Sequence, residues 1–192
     1  MQLSDVPSIL HIRDEHGDLT KDLSLGERFE MLAARVLHAR VARYRQVGFD
    51  LYDSPLYPGI KFQVKIAHAR EGQSGPKIIN GRDVLMRVAP SWTWSEKASG
   101  EAHLYILFGI KQGIIYPFVA PLDIWLAESF ESSGGRTLRI CSEEYSRCGR
   151  YESSIKRNKF WEYSIRNWPL GLFERIGYYT ENGIAEQLKL EA

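Results

Sequence analysis

A nearly unbroken apolar run over 102–110 constrains the fold more than any other feature of this sequence. Its β-branched and aromatic residues favour a strand, and the absence of polar alternation predicts burial on both faces. No stretch of the chain approaches the ~18 apolar residues that a membrane-spanning helix needs. With a hydrophobic share of 44% over 192 residues, the chain is expected to form one compact domain around such a strand.

The segment before this strand begins with a helix signal. Ser24-Leu25-Gly26-Glu27 has the capping-box pattern, and apolar residues recur behind it at helical spacing. These features predict a helix from Ser24 to about Arg43. Strands are expected over 44–51 and over Lys61–Ala67, where apolar and polar residues alternate.

After the apolar strand, the chain is expected to turn into a further strand, Ile114–Val119, in which Pro117 indicates an edge position. Other segments are predicted as a loop over 70–81, short helices over 82–88 and 121–129, a strand over 137–140 and an amphipathic helix over 183–190. The order of helix, strands, helix and strands predicts an α/β fold with a mixed sheet.

Charge and cysteine content limit the possible partners and compartment. The chain has 25 basic and 24 acidic side chains and a formal net charge of +1, which excludes a generally basic nucleic-acid coat but not a local basic patch. Cys141 and Cys148 are too few for a disulfide scaffold or an all-thiolate zinc site. Because the sequence has no signal-peptide pattern and no long apolar span, we expect a cytoplasmic protein without a membrane partner.

Three polar side chains carry most of the chemical content of the sequence. Gln63 and Lys65 are two residues apart on one strand, so they leave it from the same face. Asp50 closes the preceding strand, and a hairpin would bring its carboxylate beside the Gln63 amide and the Lys65 ammonium. Such oxygen ligands suit Mg²⁺, with Mn²⁺ as a substitute, and a nearby lysine stabilises developing negative charge. Phosphodiester hydrolysis is the chemistry that this kind of site serves.

The predicted helix offers a second carboxylate. With Phe29 at 0° and steps of ~100° per residue, Glu30 falls at about 100°, on the edge of the apolar face, where it can reach the sheet. Glu27 falls at about 160° and already belongs to the capping box. Glu30 is therefore the candidate ligand from the helix.

Three short runs together resemble the PD-(D/E)xK nuclease superfamily: Gly26-Glu27-Arg28-Phe29-Glu30, Gly48-Phe49-Asp50 and Phe62-Gln63-Val64-Lys65. The chain looks most like the branch in which glutamine replaces the middle acid, as in Mrr-like restriction nucleases and some homing endonucleases. The resemblance covers about 24–110. It implies a restriction-endonuclease-like core over about 24–120, a mixed sheet flanked by helices, followed in the same domain by a DNA-contacting extension over about 121–192.

Carried onto this chain, the resemblance makes Asp50 the central Mg²⁺ ligand and Gln63 a second ligand through its carbonyl oxygen. Lys65 becomes the catalytic lysine, and Glu30 the first-helix acid that binds the metal or orients a water beside it. Phe49 stands where the family has proline, and Gln63 brings no charge, so one fewer anion holds the metal. Outside the family context, the same residues also fit a turn-forming aspartate, a solvent-facing strand pair and a solvated helix-edge glutamate.

Basic residues are concentrated in the last third of the chain. Between 136 and 175 there are nine basic and five acidic residues, interleaved with aromatic side chains. This pattern fits phosphate contacts with stacking, and it equally fits a solvated region whose aromatic residues are core. The candidate DNA contacts are Arg70, Lys77 and Arg82 after the catalytic strand, and Arg136, Arg139, Arg147, Arg150, Lys156, Arg157 and Lys159 further on.

These features lead us to expect a Mg²⁺-dependent endonuclease for double-stranded DNA, of restriction or homing type. A homodimer is expected because cutting both strands of a palindromic site needs two active sites related by two-fold symmetry. A structure-specific repair or junction nuclease would use the same chemistry. Two other classes stay open: a non-catalytic nucleic-acid-binding protein on a nuclease-like fold, and a protein-interaction domain without DNA affinity.

Overall fold

The computed structural model describes residues 1–2, 6, 9–14, 17–42, 48–70, 75–79, 82–86, 90–96, 101–132, 135–146 and 155–181. In the strands of 9–22, 75–79 and 82–86 it describes the backbone alone. The fold is mixed α/β with a mixed sheet flanked by helices, which confirms the predicted class. None of the described helices is long and apolar enough to cross a membrane.

In chain order, the elements are β1 (Ile9–Asp14), β2 (Gly17–Asp22), α1 (Leu25–Leu37), β3 (Arg40–Val41), β4 (Leu51–Tyr52), β5 (Phe62–His68), β6 (Gly75–Ile79), β7 (Arg82–Met86), β8 (Ser91–Glu96), β9 (Leu104–Lys111), β10 (Ile114–Pro121), α2 (Leu122–Glu128), β11 (Phe130–Ser132), β12 (Gly135–Cys141), β13 (Tyr145–Ser146), β14 (Lys156–Arg157), a 3₁₀ helix (Lys159–Tyr163) and α3 (Leu170–Tyr179).

Helix α1 begins where the sequence predicts but ends earlier. The Ser24 hydroxyl accepts from the Glu27 N–H, and the Glu27 carboxylate accepts from the Ser24 N–H at 2.8 Å, so the capping box is confirmed. The helix ends at His38, which adopts a left-handed conformation with φ 52°. The predicted extension to Arg43 is therefore wrong, because the chain pairs as strand β3 only two residues later.

The central sheet has five strands in the order β10-β9-β5-β4-β3. Strands β5 and β9 run parallel, and the other neighbours are antiparallel, so the sheet is mixed. Strand β10 lies at one edge, which confirms the position that Pro117 indicates. Strand β9 is buried on both faces, as its apolar run predicts.

The two faces of this sheet belong to two separate core clusters. Phe62 and Phe108 lie on the face that packs against α1 and α3. Tyr105 and Leu107 lie on the opposite face, which packs against β8, β12 and α2. Since the sheet is covered on both sides, polar side chains on either face are held in partly dry surroundings.

Tryptophan side chains fill the second cluster. Trp92 and Trp94 on β8 and Trp125 on α2 are each at most 1% exposed. Gly109 gives Trp92 its room, because a Cβ at that position would lie 2.5 Å from the indole ring. Trp161 joins the same cluster, so the C-terminal part of the chain contributes to the core.

The β6–β7 hairpin corrects two sequence predictions. Its pairing ends with Ile79 opposite Arg82, so the continuous loop expected over 70–81 and the helix expected over 82–88 are both wrong. The two residues between the paired ends are Asn80-Gly81, a dipeptide that strongly favours a two-residue hairpin turn. That local signal outweighs the weak helical spacing of the segment.

Other segments agree with their predictions or lie outside the described residues. Strand β10, helix α2 and strand β12 confirm the elements expected over 114–119, 121–129 and 137–140. Helix α3 occupies a segment for which no element was predicted. Of the strand expected over 44–51, residues 44–47 lie outside the described residues, and only Leu51 of the rest lies in a strand, β4, so Asp50 precedes a strand and does not close one. All of the helix expected over 183–190 lies outside the described residues.

Candidate active site

Asp50 is fixed just before β4, at the start of the wide hairpin that leads into β5. Its N–H donates to the Phe62 carbonyl oxygen at 2.8 Å, and its Oδ2 accepts from the Val64 N–H at 2.7 Å. The Gln63 amide nitrogen donates to the same carboxylate oxygen. Both the backbone and the side chain of Asp50 are thus tied to β5, which holds the carboxylate in one orientation.

Gln63 and Lys65 leave β5 from the same face, as the alternation predicts. Gln63 is 4% exposed and lies opposite Tyr105 in the parallel register, so it is not a solvent-facing strand residue. Its bond to Asp50 uses the amide nitrogen and does not involve the carbonyl oxygen, the atom that the resemblance makes a ligand. Within the described part of the chain, the Lys65 ammonium forms no hydrogen bond or ion pair.

Glu30 reaches this region from α1. The side chain lies above Gly26, one turn earlier: a Cβ there would lie 4.0 Å from Glu30 Oε1, an ordinary contact distance. Burial raises the pKa of the Glu30 carboxyl to about 7; the Asp50 and Glu27 carboxyls add to the rise, and the Lys65 ammonium opposes it. The fold therefore brings Glu30 within electrostatic reach of both Asp50 and Lys65.

The pKa of Asp50 is changed by the same surroundings. Burial raises its pKa, while the bond from the Val64 N–H and the charge of Lys65 lower it. Glu30 and Asp50 are thus two neighbouring carboxyls in a partly dry place, where both anions together are unfavourable. A divalent cation between them would instead stabilise both ionised carboxylates.

A third carboxyl, which sequence reasoning missed, belongs to the same region. Glu96 ends β8 with 5% exposure, and its Oε2 accepts from the Tyr105 hydroxyl at 2.8 Å. Burial raises the pKa of Glu96; the Tyr105 bond and the Lys65 ammonium lower it, and the Asp50 carboxylate raises it further. Alternation along β8 was a signal that this glutamate is buried, because it lies on the same inward face as two tryptophans.

The donor atoms present fit a hard divalent cation. Asp50 and Glu30 offer carboxylates and Gln63 offers an amide carbonyl, while Mg²⁺ keeps several waters and needs only one or two protein carboxylates. Among the described residues, no three His, Cys, Asp or Glu side chains form a group that could hold a metal. A cation here would therefore depend on the amide, on water and on substrate oxygens.

The predicted DNA contacts divide by their surroundings. Five are exposed basic side chains: Arg70, Arg139, Lys156, Arg157 and Lys159. Among these, Arg157 donates to the Glu144 carboxylate at 3.0 Å, and the half-buried Arg136 donates to the Ser129 hydroxyl at 2.9 Å. The side chains of Lys77 and Arg82, and the whole of Arg147 and Arg150, lie outside the described part of the chain.

The aromatic residues near these basic ones are mostly core. Phe160 and Trp161 are 3% and 9% exposed, and Trp168 packs on Phe108 with ring centroids 5.4 Å apart. For these three the core interpretation is correct. Tyr145 is 59% exposed and is open to stacking.

Two clefts lie away from the candidate site. These clefts, of about 480 Å³ and about 750 Å³, share Trp161, Ser164 and Arg166 in their walls. None of the four predicted site residues lines either cleft. The candidate site is thus a partly buried polar cluster on the sheet that belongs to neither cleft.

Comparison with protein-family models gave no match, and comparison with curated protein sequences found no significant similarity. Function is therefore inferred from the residues, their geometry and the motif resemblance.

Proposed function

We propose that the chain is a Mg²⁺-dependent endonuclease of the PD-(D/E)xK kind that hydrolyses phosphodiester bonds in double-stranded DNA. The carrying observation is that Asp50, bonded to Gln63, lies within electrostatic reach of both Glu30 and Lys65, although the four residues come from three separate elements. A helix, an Asp-bearing hairpin and a strand with Gln-x-Lys, in this order on a mixed sheet, support a restriction-endonuclease-like core.

Each of these residues has a distinct task in that reaction. Mg²⁺ bound here would supply charge neutralisation at the phosphate and a more acidic water. Asp50 offers a carboxylate held in place by Gln63 and the β5 backbone, and Glu30 orients the attacking water from the helix side. Lys65, which no described side chain neutralises by a direct bond, stabilises the negative charge that develops on the phosphate in the transition state.

We place this activity in a restriction-type or homing-type enzyme acting as a homodimer, because double-strand cleavage of a palindrome needs two sites. The exposed basic residues Arg70, Arg139, Lys156 and Lys159 are the proposed phosphate contacts. In that arrangement the loops and the C-terminal part of the chain read the DNA sequence, since the core supplies only chemistry.

Cleavage of supercoiled plasmid with Mg²⁺ or Mn²⁺ tests the proposal. Asp50→Asn and Lys65→Ala are expected to reduce the rate of nicking and linearisation by at least ~100-fold, because each removes a group that acts on the reacting phosphate. Asp53→Asn is the matched control: Asp53 lies in the same hairpin but is exposed, and the partner of its carboxylate in the described part of the chain is Arg40 at 3.8 Å. It should cleave like the unmodified protein.

The outcomes separate the candidate functions. Equal cleavage by all variants would remove the site assignment. Salt-sensitive DNA binding without any cleavage would favour a non-catalytic binding protein. Discrete fragments from genomic DNA indicate sequence-specific cutting, whereas preference for branched over linear duplexes indicates a repair or junction nuclease.

A further inference from the structure

Glu96 and Tyr105 form a buried polar pair that the tasks above leave unused. Tyr105 is fully buried and stacks on Trp125 with ring centroids 4.5 Å apart and an interplanar angle of 2°. Its hydroxyl donates to Glu96 Oε2 at 2.8 Å. A tyrosine locked by stacking is a rigid donor, so the carboxylate that it bonds has a defined position.

The position of this pair is set by the strand register. Tyr105 lies directly opposite Gln63 in the parallel β5–β9 ladder, and Leu107 lies opposite Lys65. The bonded carboxylate therefore sits over the face of the sheet from which Gln63 and Lys65 emerge. Strand β8 supplies Glu96 from above that face, so the carboxylate and the ammonium approach each other from two different layers.

A charged Glu96 needs compensation in this buried position. A carboxylate that is 5% exposed is costly to bury unless a donor and a cation offset the lost hydration. Tyr105 is the donor, and Lys65 is the cation that acts on Glu96. The Lys65 ammonium also acts on the Glu30 and Asp50 carboxyls, so three carboxyl groups lie within its electrostatic reach.

We propose that Glu96 is a positioning residue: held by Tyr105, it draws the Lys65 ammonium to the side of the cluster away from α1 and fixes its approach to the substrate phosphate. The effect of Glu96 on cleavage depends on the proposed nuclease function. The restraint of Lys65 by Glu96 does not depend on it and can be measured in the absence of cleavage.

The test variant is Glu96→Gln, which keeps an acceptor for the Tyr105 hydroxyl but removes the charge. We expect kcat for plasmid cleavage to fall by ~10–100-fold, the range typical of partners that orient a reacting group. KM should stay within the error of the unmodified protein because substrate contacts are retained. The thermal midpoint should not fall, because core packing is retained and a neutral amide is easier to bury than a carboxylate whose pKa burial raises. Glu128→Gln is the control, since Glu128 is exposed at the end of α2 and should change nothing.

A second readout follows Lys65 itself. Limited acylation with an amine-reactive ester, quantified by peptide mass spectrometry, should modify Lys65 at least ~3-fold faster in Glu96→Gln, since the Glu96 charge attracts the Lys65 ammonium into the cluster, where the reagent reaches it less easily. Lys61 and Lys111 serve as internal references, because their partners are Glu101 and Glu143. If Glu96→Gln does not fold, Tyr105→Phe carries the same comparison, since it removes the donor that holds the carboxylate.

The outcomes are distinct from those of the plasmid assay. Unchanged kcat in an active protein would overturn the positioning role, as would a lower kcat with unchanged Lys65 acylation. An inactive unmodified protein would overturn the proposed function and the catalytic consequence together. Faster Lys65 acylation in the variant would even then support the restraint of Lys65 by Glu96, and unchanged acylation would overturn it.

Discussion

Glu30 is a residue whose proposed catalytic role lowers the stability of the fold. Its carboxyl sits partly buried beside Asp50, and burial together with that neighbour raises its pKa from 4.5 to about 7. In the unfolded chain the same carboxyl ionises at its ordinary value. Folding therefore disfavours the ionised form, and a metal-free protein loses stability by keeping this acid in place.

The sign of this effect gives a pH-dependent prediction. Because the Glu30 pKa is raised, this carboxyl leaves the free energy of unfolding unchanged below pH 4.5. It lowers that free energy increasingly as pH rises toward about 7 and by the full amount above it. We expect Glu30→Gln to be more stable than the unmodified protein at pH 8 by about 1–3 kcal/mol, with the gap shrinking as pH falls to 5. Urea unfolding in EDTA at both pH values measures it.

Glu128→Gln is the control for that measurement, because Glu128 is exposed and its loss should be neutral at both pH values. A gap that is equal at pH 5 and pH 8 would contradict the argument, since a packing change alone has no reason to follow the titration of one carboxyl. A less stable Glu30→Gln at pH 8 would contradict it as well.

Among the elements, β9 carries the tightest packing constraint. Gly109 lies beneath the Trp92 indole, and a Cβ there would approach the ring to 2.5 Å. Gly109→Ala is expected to destabilise the fold by about 1–3 kcal/mol, because a rigid ring in a close-packed cluster cannot move aside cheaply. The midpoint of chemical denaturation measures the loss.

Gly177→Ala is the matched substitution in α3. A Cβ at that position meets nothing within 4 Å, and alanine is favoured over glycine inside a helix by about 0.5–1 kcal/mol. The two glycine-to-alanine changes should therefore shift stability in opposite directions. Destabilisation of similar size in both would mean that close approach to Trp92 is not the cause at Gly109.

Sequence patterns predicted those elements whose signals are local. The capping box at Ser24 fixed the start of α1, and the apolar run of β9 predicted its burial on both faces. The end of α1 was missed because it depends on a left-handed His38, and α3 because Gly171 and Gly177 dilute its helical pattern. In the β6–β7 hairpin a turn signal was present at Asn80-Gly81, but the prediction of a loop and a helix did not use it.

The candidate site was predicted in part for the same reason. Gln63 and Lys65 share a face by simple alternation, and Glu30 was chosen by its angle on the helix. Glu96 was missed because its place depends on how β8 crosses the central sheet, which is a tertiary relation with no spacing in the sequence. Sequence position alone cannot indicate that a residue 31 positions after Lys65 returns to it.

At the scale of the whole molecule, a net charge of +1 means that the DNA affinity of the proposed nuclease would have to come from a local surface. Arg139 and Lys159 are exposed, and no described side chain forms an ion pair with either. Arg157 is also exposed but donates to the Glu144 carboxylate at 3.0 Å, so part of its charge is already offset. A basic side chain that is paired with an acid should thus contribute less to phosphate binding than one that is not.

Salt dependence of DNA binding measures that contribution. In an Asp50→Asn background, which prevents cleavage, Arg139→Ala and Lys159→Ala should each weaken binding of a labelled duplex and reduce the slope of log K against log[salt] by about 1. Arg157→Ala should reduce the slope by less, because Glu144, which also pairs with Arg166 at 3.8 Å, already offsets part of the Arg157 charge. Fluorescence anisotropy over a range of NaCl concentrations gives the slopes. Unchanged slopes for Arg139→Ala and Lys159→Ala would move the DNA-binding surface to another face, whereas no binding at low salt would leave the catalytic cluster without a substrate to act on.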